Sequence, residues 1–142
     1  GMWLVGEDMP QEKNRITLHA TEKDQFGLPI PNVEFSDHEN DVAMRNHGFK
    51  QGKALYESIG AKRVIYPPPY PSTHNLGTNR MSAKASDGVV KKWGQAHDVK
   101  NLFVVDAAPF VSQGDKNVTW TILASSWRTS DYIIDQVKAK NL

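Results

Sequence analysis

Apolar and polar positions along the chain fall into stretches of two different periods. Arg15-Ile16-Thr17-Leu18-His19-Ala20 alternates, which sends successive side chains to opposite faces and predicts a half-buried strand. Lys23 to Gly27 supplies a turn, and Pro31-Asn32-Val33-Glu34-Phe35 resumes the alternation, so the two stretches are expected to pair as a hairpin-like unit. Ser36-Asp37-His38-Glu39 matches a capping box, in which a serine and a glutamate satisfy each other's backbone N–H groups at a helix start. In the run to Ile59, Val42, Phe49 and Tyr56 stand seven apart with Leu55 and Ile59 beside them. This predicts a helix despite Gly48 and Gly52, with Gly60 as its left-handed C-terminal residue. Ala61 to Tyr66 is a short strand candidate.

Tyr66-Pro67-Pro68-Pro69-Tyr70-Pro71 can be neither helix nor central strand, because its prolines remove donors and fix φ. A stiff, extended connector is expected there. Leu102-Phe103-Val104-Val105 is a continuous apolar run of buried-strand type, ended by Asp106. From Val118 to Val137 the helical period is strongest, with Val118, Ile122, Ser126, Ile133, Ile134 and Val137 near one face and Leu123 and Trp127 flanking it. The expected fold class is α+β, in one domain over residues 1–142.

Composition narrows what such a domain can be. With 142 residues, the chain can bury one hydrophobic core. With a net charge of +1 and scattered lysines, nothing in the balance argues for nucleic acid or an anionic membrane as the main partner, and no nucleic acid is expected. No stretch approaches the ~20 apolar residues of a membrane span. With no cysteine, disulfides, thiolate metal sites and cysteine nucleophiles are excluded. No HExxH or other His/Asp/Glu grouping has metal-ligand spacing, so no metal site is expected. The opening Gly1-Met2-Trp3 lacks the features of a signal peptide, and the glycine ahead of the methionine looks like a residue left by tag removal.

Three positions are candidates for chemistry: His74 before a Gly-Thr, Asp106 at a strand end and Asn117 at a helix start. Singly, each is more often a structural histidine, a turn aspartate and a helix cap. His19, His38, His47 and His97 have the same plain reading. The order of the surrounding motifs is more specific. His74-Asn75-Leu76-Gly77-Thr78-Asn79-Arg80-Met81 is followed by Gly88-Val89-Val90, then Val99-Lys100-Asn101-Leu102-Phe103-Val104-Val105-Asp106-Ala107. Asn117-Val118-Thr119 and Ala124-Ser125-Ser126-Trp127-Arg128 come after these. This series, about half the chain, resembles the C-terminal signature of the glucose–methanol–choline (GMC) oxidoreductases. Gly6-Glu7-Asp8-Met9-Pro10, Asn14-Arg15-Ile16-Thr17-Leu18 and Gly94-Gln95-Ala96-His97-Asp98 are similar to the gluconate- and sorbitol-type sugar and polyol dehydrogenases of that family. Ser82 stands where glycine usually follows the methionine, Val118 where the Asn-Pro-Thr motif has proline, and Ala108 where serine is common.

The resemblance implies that an alcohol group of a sugar, polyol or sugar acid is oxidised by hydride transfer to flavin N5, with FAD as cofactor. His74 then matches the catalytic histidine, acting as base or as hydrogen-bond partner of the developing alkoxide. Histidine suits both roles because its ordinary pKa of about 6.5 leaves it largely neutral at pH 7. Asn117 matches the second catalytic residue, which bonds the substrate oxygen. Asn117, Val118 and Thr119 would present a helix N-terminus to the negative charge of the reduced flavin. Asp106 and Ala107 match the position that meets the ribityl and pyrophosphate part of FAD. Residues 14–71 would be substrate-domain-like. Residues 72–142 would form an active-site and flavin-facing segment, with the last strand and helix of the FAD domain.

The family's dinucleotide fingerprint, Gly-x-Gly-x-x-Gly after a strand, is absent from the sequence. The chain is therefore expected to be a C-terminal piece whose partner is an N-terminal FAD-binding portion, required for activity. The alternative is a non-catalytic remnant or interaction module without flavin, whose uncovered apolar faces could drive formation of a homo-oligomer. The sequence names neither the alcohol nor the electron acceptor, and it leaves the compartment, cytoplasmic or periplasmic, open.

Overall fold

The alternation after Arg15 becomes a two-stranded antiparallel sheet in the computed structural model, which describes residues 1–68 and 73–142. Strand β1 (Arg15–Lys23) pairs with β2 (Pro29–Glu34) in the register Arg15↔Glu34, Ile16↔Val33, Thr17↔Asn32 and Leu18↔Pro31. A bulge between Leu18 and Lys23 shifts the pairing before the turn. At that turn the Asp24 carboxylate accepts from the N–H groups of Phe26 and Leu28, at 2.8 and 3.0 Å. The hairpin lies in the first of two compact units, Gly1–Pro67 and Pro68–Leu142.

Helix α1 spans Glu39–Ser58. Its capping box is built from His38 and Asp41, not from the expected Ser36 and Glu39. His38 Nδ1 accepts from the Asn40 N–H at 3.1 Å, while the Asp41 carboxylate accepts from the His38 N–H at 2.9 Å. Ser36 is engaged elsewhere. Its N–H donates to Asn14 Oδ1 at 3.0 Å, and its carbonyl accepts from Gln11 Nε2 and Asn14 Nδ2. Those bonds close the open end of the hairpin, and the helix begins only after them. Asp41, buried, also accepts from the Met9 N–H at 3.0 Å and so ties the N-terminal residues to α1. At the other end Gly60 has φ 89°, with Gly60 N–H donating to Glu57 O and Ala61 N–H to Tyr56 O, both at 3.0 Å. This is a Schellman ending at the expected glycine.

Ala61 to Tyr66, expected as a strand, is not one. Among the described residues the two strands pair only with each other, so its backbone meets no ladder; instead Tyr66 packs on Phe49 with ring centroids 5.0 Å apart. Of the expected Tyr66–Pro71 connector, Pro69, Tyr70 and Pro71 lie outside the described residues.

The second unit is organised around Val90, which is fully buried. Isolated bridges join Met81 to Val90, Val90 to Ala96 and Gln95 to Phe103. Leu102–Val105 therefore contributes a single bridge residue and not the buried strand expected, with Leu102 50% and Val105 41% exposed. An apolar run is buried on both faces only inside a multistranded sheet, and no such sheet exists among the described residues. Helix α2 (Thr119–Lys138) docks through one turn. Arg128 donates to the Lys92 carbonyl at 2.6 Å and Thr129 Oγ1 to the Trp93 carbonyl at 3.1 Å. Trp93 stacks on Tyr132 at 5.1 Å, with the Arg128 guanidinium 3.9 Å from its ring centre.

Candidate functional site

In the second unit the segment after His74 is laid against the turn that follows the apolar run. Asn79 N–H donates to the Ala108 carbonyl at 3.1 Å and Met81 N–H to the Pro109 carbonyl at 2.8 Å. At Gly77, with φ 79°, a Cβ would stand 3.3 Å from the Phe110 carbonyl, so the two backbones approach closely at a residue without a side chain. The turn itself is held by Asp106. One of its carboxylate oxygens accepts from the Ala108 N–H at 2.8 Å, and Phe110 N–H returns to the Ala107 carbonyl at 3.1 Å. Ala107, Ala108 and Pro109 are buried beneath it.

His74 is half-buried and meets a residue that sequence reasoning did not single out. Gln113 Nε2 lies 3.3 Å from His74 Nδ1 and donates to the Lys116 carbonyl at 2.9 Å. One amide group thus links the imidazole to the backbone immediately before Asn117. The only sequence signal for Gln113 was its place four residues before Asn117, which no periodicity marks. Next to it, the Lys116 ammonium pairs with Asp115 and holds that carboxyl below the usual carboxylate range through their hydrogen bond and mutual charge.

Asn117 is exposed and is not the helix cap. That position falls to Val118, which is buried and makes no side-chain cap bond. The first turn of α2 also lacks acidic residues. Its leading N–H groups therefore meet neither a capping oxygen nor a carboxylate of their own turn, an arrangement that suits an external anion. Thr119 and Trp120 are exposed at the same end. Asp106 borders a small hollow shared with Phe110 and Arg128; His74 and Asn117 are not part of its wall. His97, given a structural reading from sequence, holds Ser82 Oγ at 3.1 Å, and Ser82 in turn donates to the Lys84 carbonyl.

A profile of the GMC oxidoreductases, for their C-terminal domain, matches residues 10–126. The chain belongs to this family, as a mixed helix-and-sheet C-terminal domain with a small sheet and two helices. Over 137 residues it is 40% identical to a 2-methyl-1,2-propanediol dehydrogenase of Mycolicibacterium austroafricanum, a match covering 93% of this chain and 24% of that protein. The fructose dehydrogenase large subunit of Gluconobacter japonicus is 29% identical over 133 residues, covering 93% and 24%. The gluconate 2-dehydrogenase flavoprotein of Pantoea cypripedii is 25% identical over 141 residues, covering 92% and 23%. The chain thus spans about a quarter of the length of the curated relatives it matches.

Proposed function

We propose that this chain is the substrate-facing C-terminal part of an FAD-dependent dehydrogenase or oxidase acting on an alcohol group of a polyol, sugar or sugar acid. The observation that carries the reading is the Gln113 bridge, which ties His74 to the backbone beside Asn117 at the start of α2 in a member of this family. When bound, FAD supplies the acceptor for the hydride that leaves the alcohol carbon.

This chain's residues prepare the alcohol. His74 meets the reacting oxygen, either taking its proton or donating to it, a form of assistance typically worth ~10²–10⁴-fold in rate. The Asn117 amide bonds the same oxygen and fixes its orientation. Asn117, Val118 and Thr119 offer backbone N–H groups at an uncapped helix start, where about half a positive charge favours an anionic ring edge. Asp106, an acceptor-only group with one oxygen committed to Ala108, suits the hydroxyls of a ribityl chain, with Ala107 beside it. In this reading residues 14–71 are substrate-domain-like, and residues 72–142 are the active-site and flavin-facing segment with the last strand and helix of a flavin domain.

The partner implied is an N-terminal FAD-binding portion. Trp120 and Trp127 on α2 are 83% and 75% exposed, and Leu18, Val33 and Phe35 lie open on the hairpin, as surfaces awaiting cover do. The test is to combine the chain with that portion and FAD, and to follow flavin bleaching on adding polyols and sugars. Bleaching is expected, and His74→Ala should slow it by ~10²–10⁴-fold. A folded chain that never recruits flavin would identify a non-catalytic module instead.

A further inference from the structure

Alternate residues of the N-terminal segment meet every fourth residue of α1. A Cβ added at Gly6 would stand 2.5 Å from Met44 Sδ and 2.6 Å from its Cε. One at Gly48 would stand 3.0 Å from Leu4 Cδ1, and one at Gly52 3.4 Å from Met2 Sδ. Residues 6, 4 and 2 therefore run antiparallel to positions 44, 48 and 52, which share one helix face. An extended chain advances about 6.6 Å over two residues and a helix about 6 Å over four, so the two registers keep pace. Beyond these contacts the Met9 N–H donates to Asp41 Oδ1 at 3.0 Å and fastens the strap to the first turn of α1. Gly48 and Gly52, unfavourable inside a helix, are the notches that seat it.

Met44 is the reciprocal case, a helix side chain seated on a strap glycine. Its thioether lies so close to the Gly6 backbone that not even a methyl group would fit between them. It is half-buried and not sealed, so a small oxidant reaches it. We propose that Met44 is a modification site, where oxidation of the sulfur by a hydroperoxide drives residues 2–9 off α1. In that step the peroxide O–O bond breaks and one oxygen bonds to Sδ. The other oxygen takes the proton and leaves as water or an alcohol. The sulfur loses two electrons, the peroxide gains them, and methionine sulfoxide results. The added oxygen needs space that Gly6 fills, and its polarity favours water over the apolar contact the thioether made. With Gly6 displaced, the Met9 N–H loses Asp41. The Asp41 bond to the His38 N–H, at 2.9 Å, keeps α1 capped. Met2 and Met9, 42% and 43% exposed, are oxidised as well, but Met2 Sδ is at ordinary contact distance from Gly52 and has room to turn outward.

The test treats the 142-residue chain with graded hydrogen peroxide and maps each sulfoxide by peptide mass spectrometry. Hydrogen exchange at the Met9 amide, read by NMR on the same samples, follows the strap. Protection there should fall about tenfold or more in step with Met44 oxidation, the worth of a hydrogen bond to a charged acceptor. Protection along α1 should stay, and methionine sulfoxide reductase with a thiol should restore the Met9 value. Met44→Leu, similar in volume and without sulfur, should keep the Met9 amide protected at every dose. Should that variant release the strap unaided, the pair Met2→Leu and Met9→Leu leaves Met44 in place and should retain the full response. Three results overturn the inference: Met44 still a sulfide when Met2 and Met9 are converted, an oxidised Met44 with Met9 protection unchanged, or a response that survives Met44→Leu. Loss of protection throughout α1 would mean general unfolding and would overturn it equally.

Discussion

At Gly94 a missing side chain decides how the second unit closes. Its φ is 72°, and a Cβ there would stand 2.5 Å from the Val104 carbonyl, the residue whose N–H donates to the Gly94 carbonyl at 2.8 Å. Gly94→Ala therefore combines a left-handed backbone penalty of roughly 1–2 kcal/mol with a backbone clash that cannot be relieved by a rotamer. A lower melting temperature, with loss of protection at the Val104 amide in hydrogen exchange, is the expected outcome. His74 and Gln113 illustrate the residue scale from the other side. The histidine was legible because its neighbours form a recognisable motif. The glutamine was not, because a side chain that bridges residues 74 and 116 leaves no trace in local pattern.

Among the elements, α1 shows how neighbours move a boundary. Ser36-Asp37-His38-Glu39 had the composition of a capping box, yet Ser36 was already bound by Gln11 and Asn14, and the cap passed to His38 and Asp41. The same start carries an electrostatic cost at Asp8. Partial burial, then the carboxylates of Asp41 and Asp37, raise its pKa above the ordinary aspartate value, and Arg45 only partly opposes them. A raised carboxyl is ionised at a cost in the folded protein once pH exceeds its folded value. Near neutrality that cost is fully present, and it fades as pH falls through the folded pKa toward the unfolded value of about 3.9. Asp8→Asn should accordingly raise stability near pH 7 by less than about 1 kcal/mol, since the site is partly solvated, with the gain shrinking in acid. Thermal melts of both proteins at neutral and acidic pH would show the two curves converging; a constant gap would point to packing instead. Helices α1 and α2 and the hairpin were legible because each repeats a period over many residues. Ala61–Tyr66 and Leu102–Val105 were misread as strands because a short apolar run becomes a strand only if another strand is there to receive it.

For the molecule as a whole, what stays uncovered matters as much as what is buried. The buried apolar set of the described residues is small: Val90, Ala96, Ala107, Ala108 and Val118, all in the second unit. Large side chains such as Trp3, Phe26, Trp120 and Trp127 remain open. Kept apart from an N-terminal portion, the chain should self-associate with rising concentration, and supplying that portion should reverse it; light scattering across a dilution series measures both. A monomer at all concentrations would argue that these faces need no cover. By itself the sequence determined the family, the hairpin, both helices and the order of the motifs, because these are properties of neighbouring residues and their periods. Only the tertiary structure decided that the His74 segment lies along the Asp106–Phe110 turn, that α2 docks through Arg128 and Thr129, and that Gln113 joins the imidazole to the approach to α2. Such contacts join residues 28 to 39 positions apart, and at that separation the chain's path, not its pattern, determines which groups meet.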